Sequence, residues 1–199
     1  MSKSFLEAVE ARRSVYAISK ESPISDDQIK EIVEAAVLHS PTSFNSQSSR
    51  AVVLLGEQHD KLWDITAETL RKIVPTEQFE GTAQKLASFK AGYGSVLFFE
   101  DQTVVKNLQE NFALYADNFP IWSNQSSGIL QFVVWTAFAE AGLGASLQHY
   151  NPLIDDEVKE TFGIPAEWKL IAQLPFGKTV TAPGPKEFQP IEERVKVIK

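Results

Sequence analysis

Arg12-Arg13-Ser14 places two guanidinium forks beside a hydroxyl, a set of donors suited to phosphate or carboxylate. The same arginines also read as ordinary complements to a helix C-terminus, whose dipole favours cations. A second donor-rich stretch, Thr42-Ser43-Phe44-Asn45-Ser46-Gln47-Ser48-Ser49, joins an amphipathic segment to the short β-branched run at 50–55. A loop in that position is where α/β proteins usually hold ligands, and it reads equally as a solvated turn.

The remaining candidates argue mostly by exclusion. His39, His59 and His149 do not stand at metal-binding spacing, so no metal site is expected. His39 reads as a helix-end residue, and His59, between Gln58 and Asp60, is expected to be exposed. His149 falls at the end of a predicted strand, where ligand contact and core packing are equally open readings. A Gly-x-Ser-x-Gly elbow is missing, and Gly92-Tyr93-Gly94 lacks the context of a dinucleotide fingerprint. The pairs Asp26-Asp27, Asp155-Asp156 and Glu192-Glu193 suit helix starts or solvent. These residues imply an anion-binding domain without an acid-base pair.

Composition narrows the class further. A net charge of −7, with no basic run longer than a pair, argues against nucleic-acid or anionic-membrane surfaces. The absence of cysteine removes disulfides, thiolate catalysis and Cys-ligated zinc or iron–sulfur clusters. The N-terminal stretch lacks the apolar core of a signal peptide, so a cytoplasmic location is expected. The 199 residues suit one domain, 1–199.

The elements that must position these groups centre on residues 125–144. Ile129, Leu130, Phe132, Val133, Val134, Trp135, Ala137 and Phe138 point all round a 3.6-residue helix, which predicts burial on every side. Gln125, Ser126, Ser127, Gln131 and Glu140 argue against a membrane span, and Gly142 and Gly144 are expected to stop the helix. Burying such a helix fully asks much of one small domain, which invites a second subunit.

Ser4 with Glu7 and Ser25 with Gln28 are predicted capping boxes. The second opens a helix with a stripe of Ile29, Ile32, Val33, Ala36 and Val37. Helices are predicted over 61–74, 77–91, 104–114 and 155–162, and strands over 50–55, 95–99, 146–149 and 168–175. Residues 116–122 read as an aromatic connection. Beyond the Pro-rich turn at 181–186, Arg194-Val195-Lys196-Val197-Ile198 alternates like a strand, and a strand there could join a partner's sheet.

Three segments together carry a resemblance: Arg12-Arg13-Ser14, residues 40–47, and the buried helix ending Ala141-Gly142-Leu143-Gly144. Their order and spacing resemble the FMN-dependent nitroreductase family over essentially the whole chain. Residues 119–126 and Leu147-Gln148-His149-Tyr150-Asn151-Pro152 are similar to its fatty-acid-repression-mutant-like branch. The resemblance implies an α+β fold, a three-layer α/β/α sandwich with a mostly antiparallel sheet, forming an intertwined homodimer with FMN in each of two clefts. It implies that Arg12, Arg13 and Ser14 meet the phosphate and ribityl chain, and that Lys186 returns to the phosphate. Ser43, Asn45 and Gln47 would follow the ribityl and pyrimidine edge, with Leu147, Gln148 and His149 along the isoalloxazine. Phe44, Trp122 and Tyr150 would line the substrate cleft, Trp122 from the other subunit.

Two departures stand out. Tyr16 takes the place of the family's basic residue near flavin N1, with Arg71 or Lys72 as candidate substitutes, and Ser48-Ser49 replaces a Pro-Trp pair. The implied activity is ping-pong reduction of nitroaromatic, quinone or similar acceptors by NADH or NADPH, with a place in oxidative or xenobiotic stress. A slowly turning flavin-storage or regulatory protein is the alternative that Tyr16 raises.

Overall fold

The computed structural model describes residues 4–199, so the first three residues of the N-terminal stretch read above lie outside it. Helices are α1 (Phe5–Ala11), α2 (Asp26–His39), α3 (Glu57–Arg71), α4 (Phe79–Lys90), α5 (Gln102–Asn111), α6 (Phe119–Glu140) and α7 (Asp155–Phe162). Strands are β1 (Ile18–Ser19), β2 (Ser49–Leu55), β3 (Gly94–Asp101), β4 (Leu143–Ala145) and β5 (Trp168–Thr179). The sheet order is β1-β5-β3-β2 with β4 also on β5, and every strand pairing is antiparallel. Side-chain alternation sends Val96, Phe98, Leu174 and Phe176 toward α2 and α6, and Leu97, Phe99 and Leu170 toward α3, α4 and α7. The result is the expected α/β/α sandwich.

Both predicted capping boxes form, Ser4 with Glu7 and Ser25 with Gln28. Other expectations need correction. Helix α6 begins at Phe119, with Pro120 in its first turn, so the aromatic connection is its opening turns. Nor is α6 buried all round: Ile129 and Val133 stay 41% and 37% exposed, while Ser123, Ser126, Ser127 and Gln131 are buried. Those polar groups face inward because the helix satisfies them itself. Ser123 Oγ donates to the Pro120 carbonyl (3.0 Å), Ser126 Oγ to that of Trp122 (2.9 Å), and Gln131 Nε2 to Ser127 Oγ (3.0 Å).

The strand expected at 146–149 lies earlier, as β4. Gly142, at φ 86°, turns the chain out of α6. Gly144 belongs to β4 instead, where a Cβ would stand 2.8 Å from Val15 Cγ1. Residues 194–198 form no strand and are exposed, since a strand needs an edge and no edge of this chain pairs with them.

Candidate active site

Helix α1 stops at Ala11, and Arg12 already has extended dihedrals. Arg12 is the C-cap of this helix, its N–H donating to the Ala8 carbonyl, and Arg13 follows just beyond it, while the last turn itself holds no basic residue. Ser14 bridges Ala145, and Val15 N–H donates to the Ala145 carbonyl at 2.9 Å, which fixes this segment beside β4. Residues 181–186 return opposite it, held by Arg13 Nη2 on the Gly184 carbonyl at 2.8 Å. Between them opens a hollow of about 510 Å3, lined by Arg12, Arg13, Ser14, Tyr16, Ala17 and residues 181–186.

Three cations share this hollow, and among the described residues none of them pairs with a carboxylate. The Arg12 guanidinium lies over the Trp135 ring at 4.2 Å. Burial, and then the neighbouring Arg13 charge, lower its pKa. Its Nε is buried without an acceptor. An unsatisfied buried donor costs about 1–3 kcal/mol, so an anion entering here gains from both the charge and the missing bond. A phosphate monoester fits that demand.

Past Ala145 the chain runs on along β5. Gln148 exchanges both backbone hydrogen bonds with Gln173, at 2.7 and 2.9 Å, and Tyr150 N–H donates to Gln173 Oε1 at 2.8 Å. With those amides turned inward, the N–H groups of Leu147 and His149 face the other way and bond to nothing among the described residues. His149 is exposed and Leu147 half-buried, so of the two readings for His149 the ligand-facing one survives. Gln148 behaves differently: its side chain is buried and donates to Ser146 Oγ at 3.1 Å, which holds it back from the hollow. Tyr16, 53% exposed, packs 6.4 Å from Phe89, which with Trp63 and Tyr150 forms an aromatic wall. Burial raises the Tyr150 hydroxyl pKa, keeping it neutral. Arg71 stands over Phe79, at the far side of α3, and takes no part.

The other predicted group gathers elsewhere. Phe44, Asn45 and Gln47 have φ values of 57°, 49° and 50°, a left-handed run built without glycine. Each such residue costs on the order of 1 kcal/mol or more, and such strain concentrates at ligand-holding loops. The Phe44 ring sits among Phe112 (5.0 Å), Phe119 (5.3 Å), Tyr115 (6.2 Å) and Trp122, with which it stacks at 18° and 6.1 Å. Ser43 is half-buried, while Asn45 and Gln47 are exposed. Arg12 contacts Trp135 and Phe44 contacts Trp122, thirteen residues apart on α6, or about 20 Å along its axis. The chain thus joins Arg12, Arg13, Ser14, Tyr16 and Lys186 around one hollow, and keeps Phe44 and Trp122, with the loop of Ser43, Asn45 and Gln47, apart from them.

Sequence reasoning missed Gln173, Trp135 and the carboxyl Glu100. A lone polar residue inside an apolar strand run was the available signal at Gln173, whereas Glu100 stands at the polar end of its run, beside Asp101. His59 was expected at the surface. It is 1% exposed, in a closed circuit: Trp63 Nε1–H donates to Ser95 Oγ (3.1 Å), the Ser95 hydroxyl to His59 Nδ1 (2.9 Å), and His59 Nε2–H to the Lys90 carbonyl (3.3 Å). Burial lowers its pKa to about 4, so the ring is neutral.

An antiparallel α/β/α sandwich carrying a cationic hollow is a frame suited to an anionic ligand. Residues 9–178 match the Nitroreductase family, and the chain belongs to that family of oxidoreductases. It is 33% identical to nitroreductase FRM2 of Saccharomyces cerevisiae over 187 residues, 93% of each chain. It is 50% identical to nitroreductase CinD from Lactococcus lactis in complex with nicotinic acid, with a TM-score of 0.91 over 98% of this chain and all of that one. CinD has also been solved with chloramphenicol and with 4-nitrophenol. A protein from Desulfovibrio desulfuricans solved with FMN shares the fold at 18% identity, with a TM-score of 0.72 over 100% of this chain and 99% of that one.

Proposed function

We propose that the enzyme uses FMN to pass electrons from NADH or NADPH to nitroaromatic or quinone-like acceptors, in ping-pong turnover and as a homodimer. The observation that carries this reading is the cluster of Arg12, Arg13 and Lys186 around one hollow without counter-charge, with the unbonded N–H groups of Leu147 and His149 a few residues past the Ser14–Ala145 bridge as further support. Arg12 and Arg13 would bind the phosphate with charge-assisted bonds, Lys186 would close over it, and Ser14 would meet the ribityl chain. The outward amides would hold the reactive edge of the ring in register. When bound, FMN supplies the hydride-accepting and hydride-donating chemistry, so no acid-base pair is required of the chain.

Asn45, Gln47 and Ser43 reach that cofactor only from a second copy, because about 20 Å of α6 separates them from Arg12 in their own chain. The exposed Ile129 and Val133 on α6 support the same arrangement, with Phe44 and Trp122 walling the partner's cleft and the tail, 181–199, reaching across. A flat acceptor would stack there and exclude water. The complexes of CinD with nicotinic acid and 4-nitrophenol, molecules shaped like the donor's nicotinamide and a nitroaromatic acceptor, support these substrate classes. Tyr16 leaves the flavin N1 side without a cation from this segment, which would lower the flavin's affinity for electrons relative to relatives that carry one.

The test is to release and identify the cofactor of purified protein, then mix the flavin form rapidly with NADH, NADPH and a nitroaromatic. About one FMN per chain, reduced and reoxidised quickly, is expected from a site that orients this cofactor. A chain that binds no added FMN overturns the reading.

A further inference from the structure

Glu100 is, among the described residues, the one carboxyl with no solvent exposure at all. Both its oxygens are taken by consecutive hydroxyls, Ser48 Oγ donating to Oε2 at 2.6 Å and Ser49 Oγ to Oε1 at 2.5 Å. It forms no ion pair. Arg50, the nearest cation in sequence, pairs with Asp101 at 3.0 Å. Burial raises its pKa, and the two hydroxyls and the Arg50 charge oppose this only in part; a buried carboxyl without an ion pair is an expensive way to fill a strand position, since an apolar side chain would avoid the desolvation.

What the two serines carry is the strained loop at 44–47, in which Phe44, Asn45 and Gln47 are left-handed and Ser46 is right-handed. Its tip is held by the Phe44 ring among its aromatic neighbours, and its base runs straight into Ser48. The backbone of Ser48 is fastened as well, its carbonyl accepting from Asp101 N–H at 2.9 Å. Between these fixtures the loop is tied by Asn45 N–H on the Thr42 carbonyl (3.0 Å), Ser46 N–H on the Ser43 carbonyl (3.1 Å), Gln47 N–H on Thr42 Oγ1 (3.0 Å) and Arg50 Nη1 on the Gln47 carbonyl (2.6 Å). Ser46 Oγ, 3.4 Å from Ser48 Oγ, links the loop's own side chains to the anchor. Non-glycine residues keep left-handed dihedrals only where their surroundings over-determine them.

We propose that Glu100, acting through Ser48 and Ser49, is the positioning residue that holds the 43–47 loop in its ligand-facing course. This rests on the functional reading above in taking Asn45 and Gln47 as cofactor contacts. When the carboxyl is removed, both hydroxyls lose their acceptor and Phe44, Asn45 and Gln47 relax toward ordinary dihedrals, carrying the two amides away. The Ser48-Ser49 pair, where the family more often has Pro-Trp, is then the other half of the same device.

Three variants test it in the full-length protein: Glu100→Leu, the double Ser48→Ala/Ser49→Ala, and Glu100→Gln, which retains an acceptor and a donor for the two hydroxyls. Leu97→Ala, on the same strand but the opposite face, is the control for lost stability alone. The readouts are the FMN dissociation constant by fluorescence titration and the rate of chymotryptic cleavage after Phe44 under native conditions. Glu100→Leu and the double serine variant should raise both roughly tenfold, with Glu100→Gln close to the unaltered chain and Leu97→Ala changing only Tm. Should Glu100→Leu fail to fold, the serine variant carries the comparison. Variants that match Leu97→Ala in Tm yet keep normal FMN affinity and normal cleavage overturn the proposal. If the unaltered chain takes up no FMN, it is the functional reading that falls, and cleavage after Phe44 alone decides the anchor.

Discussion

The two faces of the sheet are finished to different degrees. Against α3, α4 and α7 the packing closes within the chain: Trp63, Phe89, Leu97 and Phe99 are fully buried, and even the polar circuit through His59 satisfies every member. Against α2 and α6 it does not close, since Ile129, Val133, Val37 and Leu38 remain exposed. An apolar hollow of about 530 Å3 lies open there between α2, β2 and the 42–47 loop. The first face is a folding core. The second leaves apolar surface open, and the strained loop and the aromatic cluster around Phe44 lie along its margin.

That contrast breaks most sharply under charge. Ile129→Glu with Val133→Glu should abolish self-association, since two apolar side chains worth about 1.5–3 kcal/mol each are lost from the interface. Sedimentation velocity should show a folded monomer without bound flavin. The folded state itself should survive, because both positions are exposed in the single chain.

The closed face predicts a pH effect instead. His59 has a pKa of about 4 when folded against about 6.5 unfolded. Below pH 6.5 the unfolded chain takes up a proton that the folded chain refuses, so stability falls as pH drops from about 6.5 to 4, by up to about 3 kcal/mol. The difference in urea unfolding between the unaltered chain and His59→Gln, followed across that range, isolates this contribution. A flat difference would remove His59 as the cause.

At the site the effects are smaller. Arg12→Ala should weaken FMN binding by about 1.5–3 kcal/mol, roughly one to two factors of ten, by fluorescence titration. Gln173→Leu leaves the Tyr150 amide without its acceptor, which costs about 1–3 kcal/mol in stability. Urea unfolding reads this loss, while the Gln148–Gln173 backbone pair that aligns 147–149 is retained.

Much of this was legible in the residues. Helix α2 announces itself through Ser25, Gln28 and its Ile29-Val33-Ala36 stripe, and β3 through an unbroken apolar run. Arg12 and Arg13 were visible too, because the chemistry of adjacent arginines needs no long-range information, whereas Lys186 was reached only through the resemblance. What could not be read was pairing across distance. Ser49 faces Glu100 only through the β2–β3 register, and Gln173 meets Gln148 and Tyr150 across a gap of more than twenty residues.

His59 was legible and overlooked: it lies in line with Leu62, Trp63, Thr66 and Leu70, the buried stripe of α3, once that helix is seen to begin at Glu57. Helix α6 misled in the opposite sense. An all-round apolar sequence was taken as all-round burial, whereas small serines that bond their own backbone face the core and Ile129 and Val133 face out.

The most direct test of a site assembled from two copies is complementation. One chain carries Arg12→Ala with Arg13→Ala, the other Asn45→Ala with Gln47→Ala, and each alone should be nearly inactive and poor in FMN. After the two are unfolded together, refolded and mixed, a shared site predicts recovery of FMN and nitroreductase activity in roughly a quarter of all sites, because each mixed dimer holds one intact cleft. If each cleft were built within one chain, every site in the mixture would stay damaged and no activity would return.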